Sequence, residues 1–151
     1  MKTPLLTIPL LAVMAASAAA AERATPTQAK AMLTQAIAHY KSVGREKALA
    51  DFNANRAPFA DRDLYVYCIG PDHTLVANGG FSQFVGQSAD ALKDSGGKSV
   101  GQAIWDLAAS RNEGELHYQF FNPVTMLIEP KVAYVAKAGT DVCAVGAYDT
   151  P

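Results

Sequence analysis

Residues 115–148 read ELHYQFFNPVTMLIEPKVAYVAKAGTDVCAVGAY: three aromatic- and valine-rich runs separated by Asn122-Pro123-Val124-Thr125 and Ala138-Gly139-Thr140-Asp141. Runs of this composition between Pro, Gly and Asn clusters form strands joined by hairpins. In the first run Leu116, Tyr118 and Phe120 alternate with Glu115, His117 and Gln119, which gives one apolar and one wet face. The second, Lys131 to Lys137, is apolar on both faces between two lysines, the pattern of a more central strand. The stretch predicts a three-stranded antiparallel meander.

Upstream of it, Gly101 to Arg111 carries Ala103, Ile104, Leu107 and Ala108 on one helical stripe with Trp105 beside it. Asn78 to Val100 is rich in glycine and irregular, with one short helical stretch at Ser88 to Lys93. Before that, Asp63 to Ile69 is a continuous apolar strand. Gly70-Pro71-Asp72-His73 turns it into a second strand at Thr74 to Ala77. Asn53 to Asp63 is a polar loop in which Phe59 is placed to plug the end of the core. Two helices precede it. Thr25-Pro26-Thr27-Gln28 is a capping-box start, followed by an apolar stripe of Ala29, Met32, Leu33, Ala36, Ile37 and Tyr40. Gly44 ends the first helix, and Ala48, Leu49 and Phe52 give the second its buried side. Neither helix can bury its stripe alone, so both must lie on a sheet. The order predicts an α+β fold with N-terminal helices packed on a five- to six-stranded antiparallel sheet.

The chain has 151 residues and a formal charge of −1, with a pI near 6.3. That length supports one domain with its own core, and that charge leaves no footprint for nucleic acid. Lys2, the apolar run Leu5 to Val13 and the small-residue tract Ala15 to Ala21 read as a secretory signal peptide cleaved near Ala21. The run is about half the roughly 20 residues a membrane span needs. The expected organisation is a leader over residues 1–21 and one domain over 22–151, periplasmic or secreted, with no stable membrane insertion after cleavage. Export makes Cys68 and Cys143, in two different strands, candidates for a disulfide. The alternative is two small buried hydrophobes that never meet.

The sequence offers little to catalysis. His39, His73 and His117 fall on a helix, a turn and a strand face without metal-ligand spacing. No G-x-S-x-G elbow, P-loop or G-x-G-x-x-G occurs. Neither a cofactor nor a metal is expected. A pocket for a small molecule is the remaining reading, because Tyr65, Tyr67, Tyr118, Phe120, Tyr134 and Lys131 all lie on strands. Phe81, Phe84 and Trp105 are available to cover one face. A lysine in an apolar strand must stay paired or wet. Lys131 can therefore meet a ligand, snorkel at its strand end, or pair with Glu129.

The segment FNANRAPFADRDLYVYCIGPDHTLVANGG (residues 52–80), Val85-Gly86, the Trp105 helix and the stretch from His117 to Tyr148 together resemble the single Cache domain family. These are extracytoplasmic, PAS-like sensor modules of bacteria. The resemblance rests on Phe52-Asn53, the strand Asp63-Leu64-Tyr65-Val66-Tyr67, the Asn122-Pro123 hairpin, Pro130-Lys131-Val132-Ala133-Tyr134-Val135 and the closing Val145-Gly146-Ala147-Tyr148. It departs from the family pattern at Ile69-Gly70-Pro71-Asp72-His73, at Phe120 and Val142 where Trp is common, and at Met126-Leu127-Ile128.

The resemblance implies a sensor-type domain that binds a short organic carboxylate. Lys131 would pair with the anion, Tyr67, Tyr118 and Tyr134 would supply hydroxyls, and Phe120 and Trp105 would form apolar walls. It also implies a stand-alone secreted member whose output runs through a separate membrane receptor or another envelope protein. A ligand-independent interaction module is the alternative, and no reaction is expected.

Overall fold

A computed structural model describes residues 22–149. The expected leader lies outside the described residues. Helix α1 spans Pro26–Val43 and opens as its sequence predicts. The Thr25 hydroxyl accepts the Gln28 N–H at 3.2 Å, and the Gln28 side chain accepts the Thr25 N–H at 2.8 Å. Gly44 takes φ +85°, open to glycine at little cost, and separates α1 from α2 at Arg45–Asn53.

The strands are β1 (Ala60–Asp61), β2 (Leu64–Ile69), β3 (Leu75–Asn78), β4 (Glu113–Asn122), β5 (Leu127–Ala138) and β6 (Asp141–Tyr148). They form one antiparallel sheet in the order β1-β2-β6-β5-β4, and β3 also pairs with β2. The meander is β4-β5-β6, with β5 inside it. Strand β1 leaves no signal in the sequence, because its two residues are too short to show a period. The third helix, α3, covers Val100–Arg111, and Ala89–Ala91 forms a single 3₁₀ turn.

Alternation along the strands divides the core in two. Leu64, Val66, Cys68, Val132, Tyr134, Cys143 and Val145 face α1 and α2. Tyr65, Tyr67, Ile69, Ala133, Val135, Val142 and Ala144 face α3 and the irregular segment, which contributes Phe81, Ala89 and Leu92. Phe59 is buried at the helical end of the first layer, with its ring 4.9 Å from Phe52 and 4.8 Å from His39. Asp141, wholly buried at the β5–β6 turn, ties that turn to the helices. It accepts from the Tyr40 hydroxyl and the Arg45 guanidinium, both at 2.9 Å. Burial and this carboxylate push the Tyr40 phenol up to about 12.

Cys68 and Cys143 face each other in the β2–β6 register and are joined by a disulfide that closes a separation of 75 residues.

Candidate ligand-binding site

Register builds the site. Tyr118 of β4 is the cross-strand partner of Lys131 of β5, and Lys131 is the partner of Tyr148 of β6. These three side chains form one row on the layer that faces α3. The lysine stem runs from that row across β6 toward β2, where its Nζ donates to the Tyr65 hydroxyl at 2.7 Å. It also donates to the Tyr148 hydroxyl at 3.2 Å, and that hydroxyl donates to the Phe121 carbonyl at 2.7 Å. The ammonium stands 4.4 Å from the Tyr65 ring centre and 4.3 Å from that of Tyr148, with Phe120 and Tyr67 further out. Aromatic faces and phenol oxygens partly replace its water.

They do not replace it fully. Lys131 is 1% exposed, and no carboxylate within the described residues lies in ion-pair reach of it. Burial lowers its pKa to about 7, with only the field of Asp63 opposing. Glu129, two residues away in sequence, is engaged elsewhere. It binds Arg23 through two bonds of 2.7 and 2.6 Å and accepts from Asn122 and Thr125. A protonated lysine has three donors. Two are used here, so the third is available to an acceptor.

Beside this cluster lies a cavity lined by Tyr65, Tyr67, Asn78, Leu92, Val100, Tyr118 and Phe120. It has about 10 Å³ of room for the centre of a water-sized sphere, close to the space for one water. The Tyr67 and Tyr118 hydroxyls are 3.1 Å apart at its wall. Burial raises the pKa of Tyr65, Tyr67, Tyr118 and Tyr148, so all four phenols stay neutral near pH 7. Neutral phenols around one poorly compensated cation make a site that favours an anion. Among the described residues no group of three or more His, Cys, Asp or Glu could hold a metal ion.

The family model for single Cache domain 2 matches residues 11–145. This chain belongs to the single Cache domain family.

The match starts within the stretch read as a leader and runs almost to the end of β6. Three solved structures share the Cache fold, each at 19% identity. A methyl-accepting chemotaxis protein from Vibrio parahaemolyticus RIMD 2210633 gives a TM-score of 0.66, covering 81% of this chain and 86% of its own. A periplasmic sensor domain of a chemotaxis protein gives 0.61, with 80% and 88% covered. A Cache chemosensory domain described in terms of carboxylic acid recognition gives 0.61, with 82% and 88% covered. A search of curated protein sequences found no match. The helix-and-sheet arrangement of this Cache domain is that of these sensor domains.

Of the residues expected in a pocket, Lys131, Tyr118, Phe120 and Tyr67 converge. Tyr134 does not join them. It is three residues from Lys131 on one strand and so faces the opposite layer, where Lys30 lies 4.7 Å from its ring centre. Trp105 stands on α3 with its ring 4.6 Å from His73, outside the residues that line the cavity. Tyr148 and Asn78 were not singled out for the site from sequence. Tyr148 reaches the lysine's layer through its cross-strand pairing with Lys131. Asn78 had no such signal, since its position depends on the short β3 register. Its side-chain oxygen accepts the Phe81 N–H at 2.9 Å, and its own N–H donates to Asn53, so it fixes the start of the irregular segment at the cavity wall.

Proposed function

We propose that this Cache domain is a periplasmic ligand sensor and that its ligand is a short organic carboxylate held at Lys131. The observation that carries the reading is a fully buried lysine bonded only to phenols, beside a small cavity walled by Tyr65, Tyr67 and Phe120 that the lysine also touches. A carboxylate there would accept the third ammonium donor and hydrogen bonds from Tyr67 or Tyr118, and would offset the cost of burying the charge. The neighbour described for carboxylic acid recognition supports the ligand class. The cavity holds about one water, so even acetate requires Leu92 and Val100, on the irregular segment and the start of α3, to move outward. That motion would be the signal, passed to a separate membrane receptor or another envelope protein. The reading assigns no reaction to the domain.

Calorimetric stability measured with and without acetate, propionate, pyruvate or lactate tests this. A ligand at a hundredfold excess over Kd stabilises by about 2.7 kcal/mol, and Lys131→Met should abolish the gain. A gain that survives in Lys131→Met removes the lysine from the site.

The small size of the cavity favours a second reading, an interaction module that works without a ligand. It predicts no stabilisation by any of the four acids and capture of the same envelope partner whether or not they are present.

A further inference from the structure

The β4–β5 hairpin ends in an apolar tip. Val124, Met126, Leu127 and Ile128 are 44%, 68%, 59% and 60% exposed, and they make up four of the six large exposed hydrophobics among the described residues. Contiguous exposed apolar side chains on one turn call for a partner. Leu127 and Ile128 are successive strand residues paired with Asn122 and Phe121, so they point to opposite sides of the ribbon. A groove on another protein could cover one side only. A medium that surrounds the tip would cover both.

Three donors of the turn are satisfied internally. The Met126 N–H donates to the Asn122 carbonyl at 2.8 Å, and the Val124 N–H to the Asn122 side chain at 2.9 Å. The Thr125 hydroxyl donates to Glu129 at 3.0 Å. The tip could therefore leave water with few broken hydrogen bonds. Both ends of the described chain meet the same hairpin just behind its tip. Arg23 is clamped to Glu129, and the Asp149 N–H donates to the Pro130 carbonyl at 2.9 Å.

We propose that the Val124–Ile128 tip is a docking surface for a lipid bilayer, entering its interface reversibly and setting the domain with this end toward the membrane. Four side chains are a small patch beside the roughly 800 Å² that each partner gives to a stable protein interface. They are enough for an interfacial contact. Charges around the base pair off, Arg23 with Glu129 and Arg62 with Asp61, so the contact should depend only weakly on salt.

The test places a reporter at the tip. The full protein carrying Leu127→Trp is titrated with phosphatidylethanolamine–phosphatidylglycerol vesicles that contain brominated lipid. Unsubstituted protein, whose one tryptophan is Trp105, serves as control. Emission from the indole introduced by Leu127→Trp should shift to the blue and be quenched, while that of Trp105 is not. Adding Met126→Ser and Ile128→Ser should lower the partition coefficient at least about tenfold. The proposal is overturned if the introduced indole is quenched no more than Trp105, or if the serine changes leave partitioning unaltered. It is also overturned if sedimentation velocity shows that Met126→Ser with Ile128→Ser dissociates an oligomer, because the tip would then be covered by a second copy of the chain. Circular dichroism confirms that each variant folds.

Discussion

A β-carbon on Gly146 would lie 2.2 Å from Cε of Lys131, so the lysine stem crosses β6 over a position where only glycine leaves room. The stem passes that point to reach Tyr65 on the next strand. Gly146 is thus a condition for the placement of the ammonium.

Gly146→Ala should therefore destabilise the domain by about 1–3 kcal/mol, the usual cost of overpacking. The cost should largely vanish when Lys131→Ala removes the stem. Urea unfolding of the two single variants and the double gives the coupling directly. Additive effects would mean that the lysine does not run over Gly146.

The same lysine carries a stability cost. Lys131→Met keeps similar volume without the buried charge and should stabilise the domain by about 1–4 kcal/mol at pH 7. The pH dependence has a definite sign. With a folded-state pKa near 7 and an unfolded value near 10.5, the unfolded chain holds more protons between those limits. Stability from this group then rises with pH, by up to about 1.4 kcal/mol per unit. Above about pH 10, the ordinary range of a phenol, the buried tyrosines act in the opposite direction, because unfolding releases their protons. Unfolding free energies of wild type and Lys131→Met, followed from about pH 6 to about pH 9.5, should converge as pH rises. A constant difference would mean that Lys131 keeps an ordinary pKa.

Removing the disulfide frees a long loop. Closing 75 residues is worth about 4.5 kcal/mol at most by loop entropy. Cys68→Ala with Cys143→Ala should lower unfolding free energy by about 2–4 kcal/mol, measured by urea titration. Since both positions lie on the layer facing α1, carboxylate binding at Lys131 should be retained. An unchanged stability would show that the two cysteines do not pair in the protein.

The meander, the Thr25–Gln28 capping box and the early hairpin were legible because each rests on local periodicity or turn chemistry. The site was legible in part. Lys131 stands out because a lysine inside an apolar strand is costly wherever it points. Tyr134 shares the lysine's strand, but alternation puts residues three apart on opposite layers. Trp105 depended on how α3 rotates over the sheet, which its mixed stripe leaves open. The Tyr118–Lys131–Tyr148 row comes from register along the β4–β5–β6 meander, and the opposition of Cys68 to Cys143 from register between strands 75 residues apart. Turn lengths and neighbouring strands decide that register together, and no single segment encodes it.

The most direct test of a carboxylate sensor built on Lys131 is isothermal titration of short carboxylates into wild type and Lys131→Met at about pH 6 and about pH 9. An anion that requires the ammonium binds with little pH dependence below about 7. Its affinity should fall on the order of a hundredfold by about pH 9, with proton uptake on binding there and no detectable binding to Lys131→Met. Binding of equal affinity at both pH values, binding retained by Lys131→Met, or no binding of any short carboxylate to the wild type would contradict the account.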